Sequence, residues 1–252
     1  MSIIALQLYT IRDFTEADLL NTLHHVKQIG YDYVELAGMY GYSAIELKKL
    51  LDTAELKAIS AHVPIEAFEE DARQTVADYK LLGCQYIAIP SLSRDVLPGG
   101  DHYTQMRDTL INIGMMCNDK HIRFAYHNHA YEFEKLDSGT TILDALFEDL
   151  PTEVIGAEID TGWVTAANVD PAAYIRKYSG RCALIHLKDT VKVGASFEDR
   201  PVGSGTQDIE GIIKTALDIN TNLFVVELDE AHGMTSLEAA AASRTYLKNI
   251  GL

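Results

Sequence analysis

The 252-residue sequence predicts an α/β fold, a (β/α)8 TIM barrel forming one domain over residues 1–252. Three observations carry that expectation. A short apolar run followed by a longer amphipathic segment recurs about every 30 residues. The apolar runs lack the alternation of a sheet with one wet face, so they read as parallel strands covered by helices. Eight such units fill the 252 residues, which is the size of a TIM barrel. An open doubly wound sheet is the competing architecture, and the first strand argues against it, running into QLYTIRD without a glycine-rich GxGxxG turn.

The strand-like runs are 3–8 (IIALQL), 32–36 (DYVEL), 56–62 (LKAISAH), 85–90 (QYIAIP), 122–127 (IRFAYH), 154–160 (VIGAEID), 182–187 (CALIHL) and 222–228 (NLFVVEL). Helix-like stretches lie between them. In 15–29, Leu19, Leu20, Leu23, Val26 and Ile29 fall on one helical face, and Thr15 with Asp18 resembles a capping box with Asp in place of the usual Glu or Gln. Gly30 and Gly83 stand where left-handed C-terminal caps belong, before the similar strand entries GYDYVEL and GCQYIAI, which suggests an internal βα repeat. Arg200 falls in FEDRPVGSG, read as a polar loop ahead of a helix that Asp208 starts. No stretch is rich enough in Pro, Gly or Ser to be a linker.

Composition excludes several classes. With 37 acidic residues against 21 Lys and Arg, the net charge of -16 opposes a phosphate backbone, and the basic residues form no cluster, so nucleic acid is not an expected partner. Cys84, Cys117 and Cys182 are an odd count without CxxC spacing, which argues against a disulfide framework or a thiolate zinc site and for a reducing compartment. The opening apolar run follows no Lys or Arg and is broken by Gln7, so it reads as a strand rather than a signal peptide. No stretch approaches the ~20 apolar residues of a membrane span. The expected location is cytoplasmic, with no membrane partner.

In such a barrel the active site forms at the C-terminal strand ends. The last four strands end in His127 and His129, Glu158 and Asp160, His186 and Lys188, and Glu227 and Asp229. The members of each pair are two residues apart, which on an extended strand puts both side chains on one face. A buried strand ending in an ionisable group is costly unless that group is paired or ligated. Imidazole and carboxylate donors without thiolate point to a divalent Mn, Co, Zn or Mg ion rather than a structural zinc.

The segments AYHNHAYEFE (125–134), GAEIDTGWVTAANVDP (156–171), IHLKD (185–189), VGSGTQDIEGI (202–212) and VVELDE (225–230), with QLYT and YVEL at the first two strand ends, resemble the xylose isomerase-like TIM barrels, the sugar phosphate isomerases and epimerases. The resemblance implies a metal held by strands five to eight, typically through Glu, Asp, His and Glu. Asp160, His186 and Glu227 fall on the last three positions. His127 stands where the family usually has a Glu, so either His127 is the fourth ligand, the favoured assignment, or Glu132 reaches back from the following loop.

The implied activity is metal-dependent isomerisation or epimerisation of a small carbohydrate, a ketose or keto-sugar, through an enediolate. Elimination by a lyase or dehydratase on a keto-sugar, keto-glycoside or keto-inositol is the alternative that the His127 departure raises. Glu158 is a candidate acid or base, or else an ion-pair partner of Lys188. His129 is a second proton-transfer candidate, Lys188 a stabiliser of oxyanion charge, and Glu227 both ligand and catalytic group. Gln7, Glu35, His62, Glu132, Trp163 and Arg200 are candidates for substrate binding, Trp163 by stacking on a sugar face. Multi-metal nuclease and non-catalytic carbohydrate-binding functions compete, the former opposed by the charge. With no residues left for a lid domain, βα loops or a neighbouring subunit of a homo-oligomer close the site.

Overall fold

In the computed structural model, which describes residues 2–252, the eight apolar runs close into one parallel barrel. In chain order its strands are β1 (Ile3–Gln7), β2 (Tyr33–Ala37), β3 (Lys57–His62), β4 (Tyr86–Ile89), β5 (Arg123–His127), β6 (Gly156–Asp160) and β7 (Cys182–Leu187). A two-stranded antiparallel hairpin, β8 (Asp189–Val193) and β9 (Ser196–Arg200), then precedes the eighth barrel strand, β10 (Leu223–Val226), which pairs with both β7 and β1. Each expected run thus became a strand, within two residues at either end. No helix among the described residues is long and apolar enough to cross a membrane.

Period-two alternation decides what fills the barrel. Small and apolar side chains, among them Ala5, Ile59, Ala88, Ala125, Leu184, Leu223 and Val225, form a cluster inside it. The next inward positions toward the strand C-termini are Gln7, Glu35, His127, Glu158, His186 and Glu227, and all are buried. An apolar plug therefore supports a polar mouth, and the intervening residues, such as Leu6, Val34, Phe124, Ile185 and Phe224, pack outward into the cluster beneath the helices.

Local sequence sets the helix ends. Gly30 and Gly83 cap their helices at φ 104° and 96°, and Asp208 caps the helix Ile209–Asp218 by accepting from the Gly211 amide at 3.0 Å. The capping box expected at Thr15 is not formed. Thr15 ends a short preceding turn, the helix starts at Leu19, and Asp18 is its cap, accepting from the Asn21 amide at 3.1 Å. Capping boxes occur instead at Ser43 with Glu46 and at Thr235 with Glu238.

The second correction concerns FEDRPVGSG, whose first four residues lie in β9 rather than in a loop. TVKV alternates in polarity before Gly194, whose φ of 63° suits a tight hairpin turn into SFED. The hairpin folds back on the barrel mouth, where the Asp229 amide donates to Asp199 Oδ2 at 2.6 Å.

Candidate active site

The strand ends converge on one buried cluster. His186 lies at its centre. Its Nδ1 is 3.0 Å from Glu227 Oε2 and its Nε2 is 2.6 Å from Glu35 Oε2, with Glu158 in closer contact on the same side. His62 stacks parallel to His186 at 5.0 Å between ring centres and meets Glu35 at 3.3 Å and Glu158 at 3.4 Å. Gln7 donates to Glu35 Oε2 at 2.6 Å.

Lys188 stands above this layer. Its ammonium lies 2.7 Å from Asp229, 3.2 Å from Glu227 and 3.4 Å from Asp160. The considered Glu158–Lys188 ion pair is therefore not formed. The register between β6 and β7 sets Glu158 opposite Leu184 and Asp160 opposite His186, so Glu158 lies a layer too deep to reach the lysine.

Burial and these neighbours set the protonation states. Burial alone would lower His186 and His62, but the carboxylates of Glu158 and Glu35, joined for His186 by Glu227, raise both, His186 well above its usual range. His127, buried and beside His186 and His62, is held well below the usual range, hence neutral. Burial, then the Lys188 charge, brings His129 down to about 4. Burial opposes ionisation of Glu158 and Glu227, yet His186 and His62 hold the first, and Lys188 and His186 the second, well below the carboxylate range. At Asp160 burial outweighs Lys188 and raises the carboxyl to about 7. Lys188 is raised because Asp160, Glu227 and Asp229 outweigh its burial.

A cavity of about 510 Å³ opens over the cluster, lined by Tyr9, Ala37, Gly38, His62, Pro64, Pro90, Ser91, His127, His129, Trp163, Glu227 and Asp229. Sequence reasoning placed His62, His127, His129, Trp163 and Glu227 here. It missed Tyr9, Pro64, Pro90 and Ser91, which lie just beyond the ends of β1, β3 and β4 and carry no ionisable signal.

Other candidates sit elsewhere. Gln7, Glu35 and Glu158 lie beneath the cavity floor, not on its wall. Glu132 turns away from the cluster, accepting from the Tyr126 hydroxyl and the His129 amide at 2.8 Å each. Arg200 faces Glu198 at 2.8 Å and does not line the cavity. The aspartate of IHLKD has a positioning role that sequence reasoning missed: Asp189 accepts from the amides of Gly203, Gly205 and Gln207, fixing the loop behind the mouth.

Two overlapping quartets offer donor atoms within 4.8 Å of one another: His127, Asp160, His186 and Glu227, and His62, His127, Glu158 and His186. Buried donors without a hydrogen-bond partner among the described residues include Asp160 Oδ2, His127 Nδ1, Glu158 Oε2 and Glu35 Oε1. Unsatisfied nitrogen and carboxylate donors in a negatively charged pocket fit a divalent cation.

The barrel with this mouth agrees with a family model described as the xylose isomerase-like TIM barrel, which matches residues 23–250. The chain belongs to that family. Among curated proteins it is similar to an inosose dehydratase of Clostridium botulinum (strain Eklund 17B / Type B), 22% identical over 87% of this chain and 85% of that protein. It is also similar to an inosose dehydratase of Clostridium beijerinckii, 24% identical, where the match spans 64% of this chain but only 59% of that protein's length. Among solved structures, a sugar phosphate isomerase/epimerase from Parabacteroides distasonis ATCC 8503 superposes with a TM-score of 0.83 at 23% identity, over 99% of this chain and 94% of that one. The IOLI protein, solved with a bound zinc atom, gives 0.70 at 15% identity, over 99% and 98%. At these identities the superpositions establish the shared fold.

Proposed function

We propose that the barrel mouth binds a divalent cation through His127, Asp160, His186 and Glu227 and catalyses proton transfer next to the carbonyl of an uncharged keto-sugar, as an isomerase or epimerase. The observation that carries this reading is the convergence of those four buried donors within 4.8 Å, with His127 and Glu227 among them lining a cavity large enough for a monosaccharide. When bound, a cation supplies Lewis-acid stabilisation of the negative charge that develops on the substrate oxygens.

The chain's own groups do the rest. Glu227, ionised and held by His186 and Lys188, faces the cavity from β10 and is the base that takes the proton from the carbon between carbonyl and hydroxyl. Its carboxyl, once protonated, returns the proton to the neighbouring carbon, or passes it to cavity water while water protonates the opposite face. His129, neutral and carried beyond the end of β5, faces the cavity from the other side of β7 and β6 as a hydrogen-bond partner for the substrate oxygens. Glu35 and Glu158 hold the His186 and His62 rings in place from beneath. Trp163 lines the wall, its buried indole N–H without a hydrogen-bond partner among the described residues. Substrate charge follows from what is missing in the wall: none of its described residues is Lys or Arg, Lys188 is committed to three carboxylates and Arg200 to Glu198, so a phosphate finds no Lys or Arg partner there and an uncharged sugar suits the wall better.

A dehydratase reading is favoured by the curated inosose dehydratases and by His127 in place of a second mouth glutamate. In that case the same base removes the α-proton and the β-hydroxyl leaves as water. Product analysis of a cation-loaded preparation on ketoses and keto-inositols separates the two. An epimer or isomer of unchanged mass supports the first reading, loss of one water supports the second, and no product from any substrate overturns both.

A further inference from the structure

His186 presents its two ring nitrogens to two different sets of carboxylates. Nδ1 faces Glu227 at 3.0 Å, and Nε2 faces Glu158 and Glu35. Each side, together with the neighbouring donors, matches one of the two quartets. From this geometry we propose that the mouth offers a divalent cation two alternative positions, an outer one at His127, Asp160, His186 and Glu227 and an inner one at His62, His127, Glu158 and His186. This rests on the reading that the mouth holds a cation at all, and goes beyond it in assigning a second place to bind.

The two positions exclude one another for a chemical reason. A neutral imidazole ligates through one nitrogen and keeps its proton on the other. A cation on Nδ1 leaves the Nε2 proton to be donated to Glu158 or Glu35, whereas a cation on Nε2 leaves the Nδ1 proton to be donated to Glu227. In either state the carboxylate on the far side becomes the partner that orients the ligating ring. His127 belongs to both quartets, so one ion at a time is held.

The donor sets also differ in kind. The outer quartet has two imidazoles and two carboxylates, the inner one three imidazoles and one carboxylate. Imidazole suits zinc, whereas carboxylate and water suit manganese and magnesium. Zinc therefore collects at the inner position and manganese at the outer. The inner position has a way in, because His62 lines the cavity and Glu158 Oε2 has no other partner among the described residues.

The test is metal binding rather than turnover, on the intact chain freed of metal by chelation. Zinc and manganese are titrated separately by calorimetry into wild type, His62→Gln and Asp160→Asn, and X-ray absorption at the zinc edge counts imidazoles around zinc in the wild type. The proposal expects about one ion per chain, with three imidazoles around zinc. It also expects His62→Gln to weaken zinc by at least about tenfold and manganese by less than about threefold, with Asp160→Asn doing the reverse. Two or fewer imidazoles around zinc, or variants that weaken both metals equally, would overturn the inner position and leave the outer site standing. Should His62→Gln fail to fold, the wild-type imidazole count decides alone. No binding of either metal to wild type would overturn the cation site and this inference together.

Discussion

Lys188→Met tests whether the mouth is organised by charge. The lysine stem packs against Gly162, where an added Cβ would lie 2.7–3.0 Å from Lys188 Cγ, Cδ and Cβ. Methionine keeps most of that packing and removes only the ammonium. What is left is three carboxylates, Asp160, Glu227 and Asp229, that had shared one cation at 2.7–3.4 Å in a nearly fully buried position. Removing one partner from a buried ion pair costs about 3–5 kcal/mol, and a chain of this size loses about 2–4 °C of Tm per kcal/mol, so the variant should melt about 6–20 °C lower. Scanning calorimetry with a chelator at pH 8, above the value of about 7 for Asp160 in the wild type, makes the comparison against a wild type whose carboxylates are ionised. Saturating manganese should raise the variant's Tm more than that of wild type, because the ion replaces the missing charge between Asp160 and Glu227. A variant melting within about 2 °C of wild type would refute the charge argument.

Three further outcomes are expected. Asp189→Ala removes the acceptor of the part-buried Gly203, Gly205 and Gln207 amides, at about 0.5–1.5 kcal/mol per hydrogen bond lost, and should lower urea stability by about 2–4 kcal/mol while exposing 201–207 to limited proteolysis. Burial opposes ionisation of Asp144, but hydrogen bonds from Lys177, Tyr178 and Tyr174 hold its carboxyl below the usual range. Its contribution is therefore present above the unfolded value of ~3.8 and lost as pH falls through the lower folded value, so Asp144→Asn should destabilise at pH 7 and by progressively less as pH falls below about 3.8 in urea melts. Burial pushes the Cys117 and Cys182 thiols up to about 12 and Cys84 higher still, so a disulfide reagent at pH 8 should leave native protein unmodified and titrate the thiols only after unfolding in guanidinium.

The barrel was legible because buried parallel strands are apolar on both faces, and the mouth because four successive strands end in ionisable pairs two residues apart. Two-residue spacing says which face a side chain takes, but not how deep it lies. Depth comes from register between neighbouring strands, and a place opposite Leu184 gave Glu158 to His186 and His62 rather than to Lys188. Gln7 ends β1 as expected, whereas Glu35 falls midway along β2, and the barrel draws both under the floor, where they serve the histidines. The hairpin 189–200 was hidden by its polar composition, although the alternation of TVKV ahead of Gly194 carried a signal. The cavity wall was the least legible part, because Tyr9, Pro64, Pro90 and Ser91 are ordinary loop residues brought together only by closure of the sheet.

The central claim is cation-dependent proton transfer at the carbon beside a substrate carbonyl, with Glu227 as base. Solvent deuterium exchange tests it most directly. Protein of verified cation content is incubated in D2O with ketoses and keto-inositols, and label at the α-carbon is read by NMR. The account predicts that one substrate class takes up deuterium at that carbon, that chelation abolishes the uptake, and that Glu227→Gln reduces it by at least about 100-fold, the lower range for loss of a general base. No uptake into any substrate by fully loaded wild type, or undiminished uptake by Glu227→Gln, would contradict it.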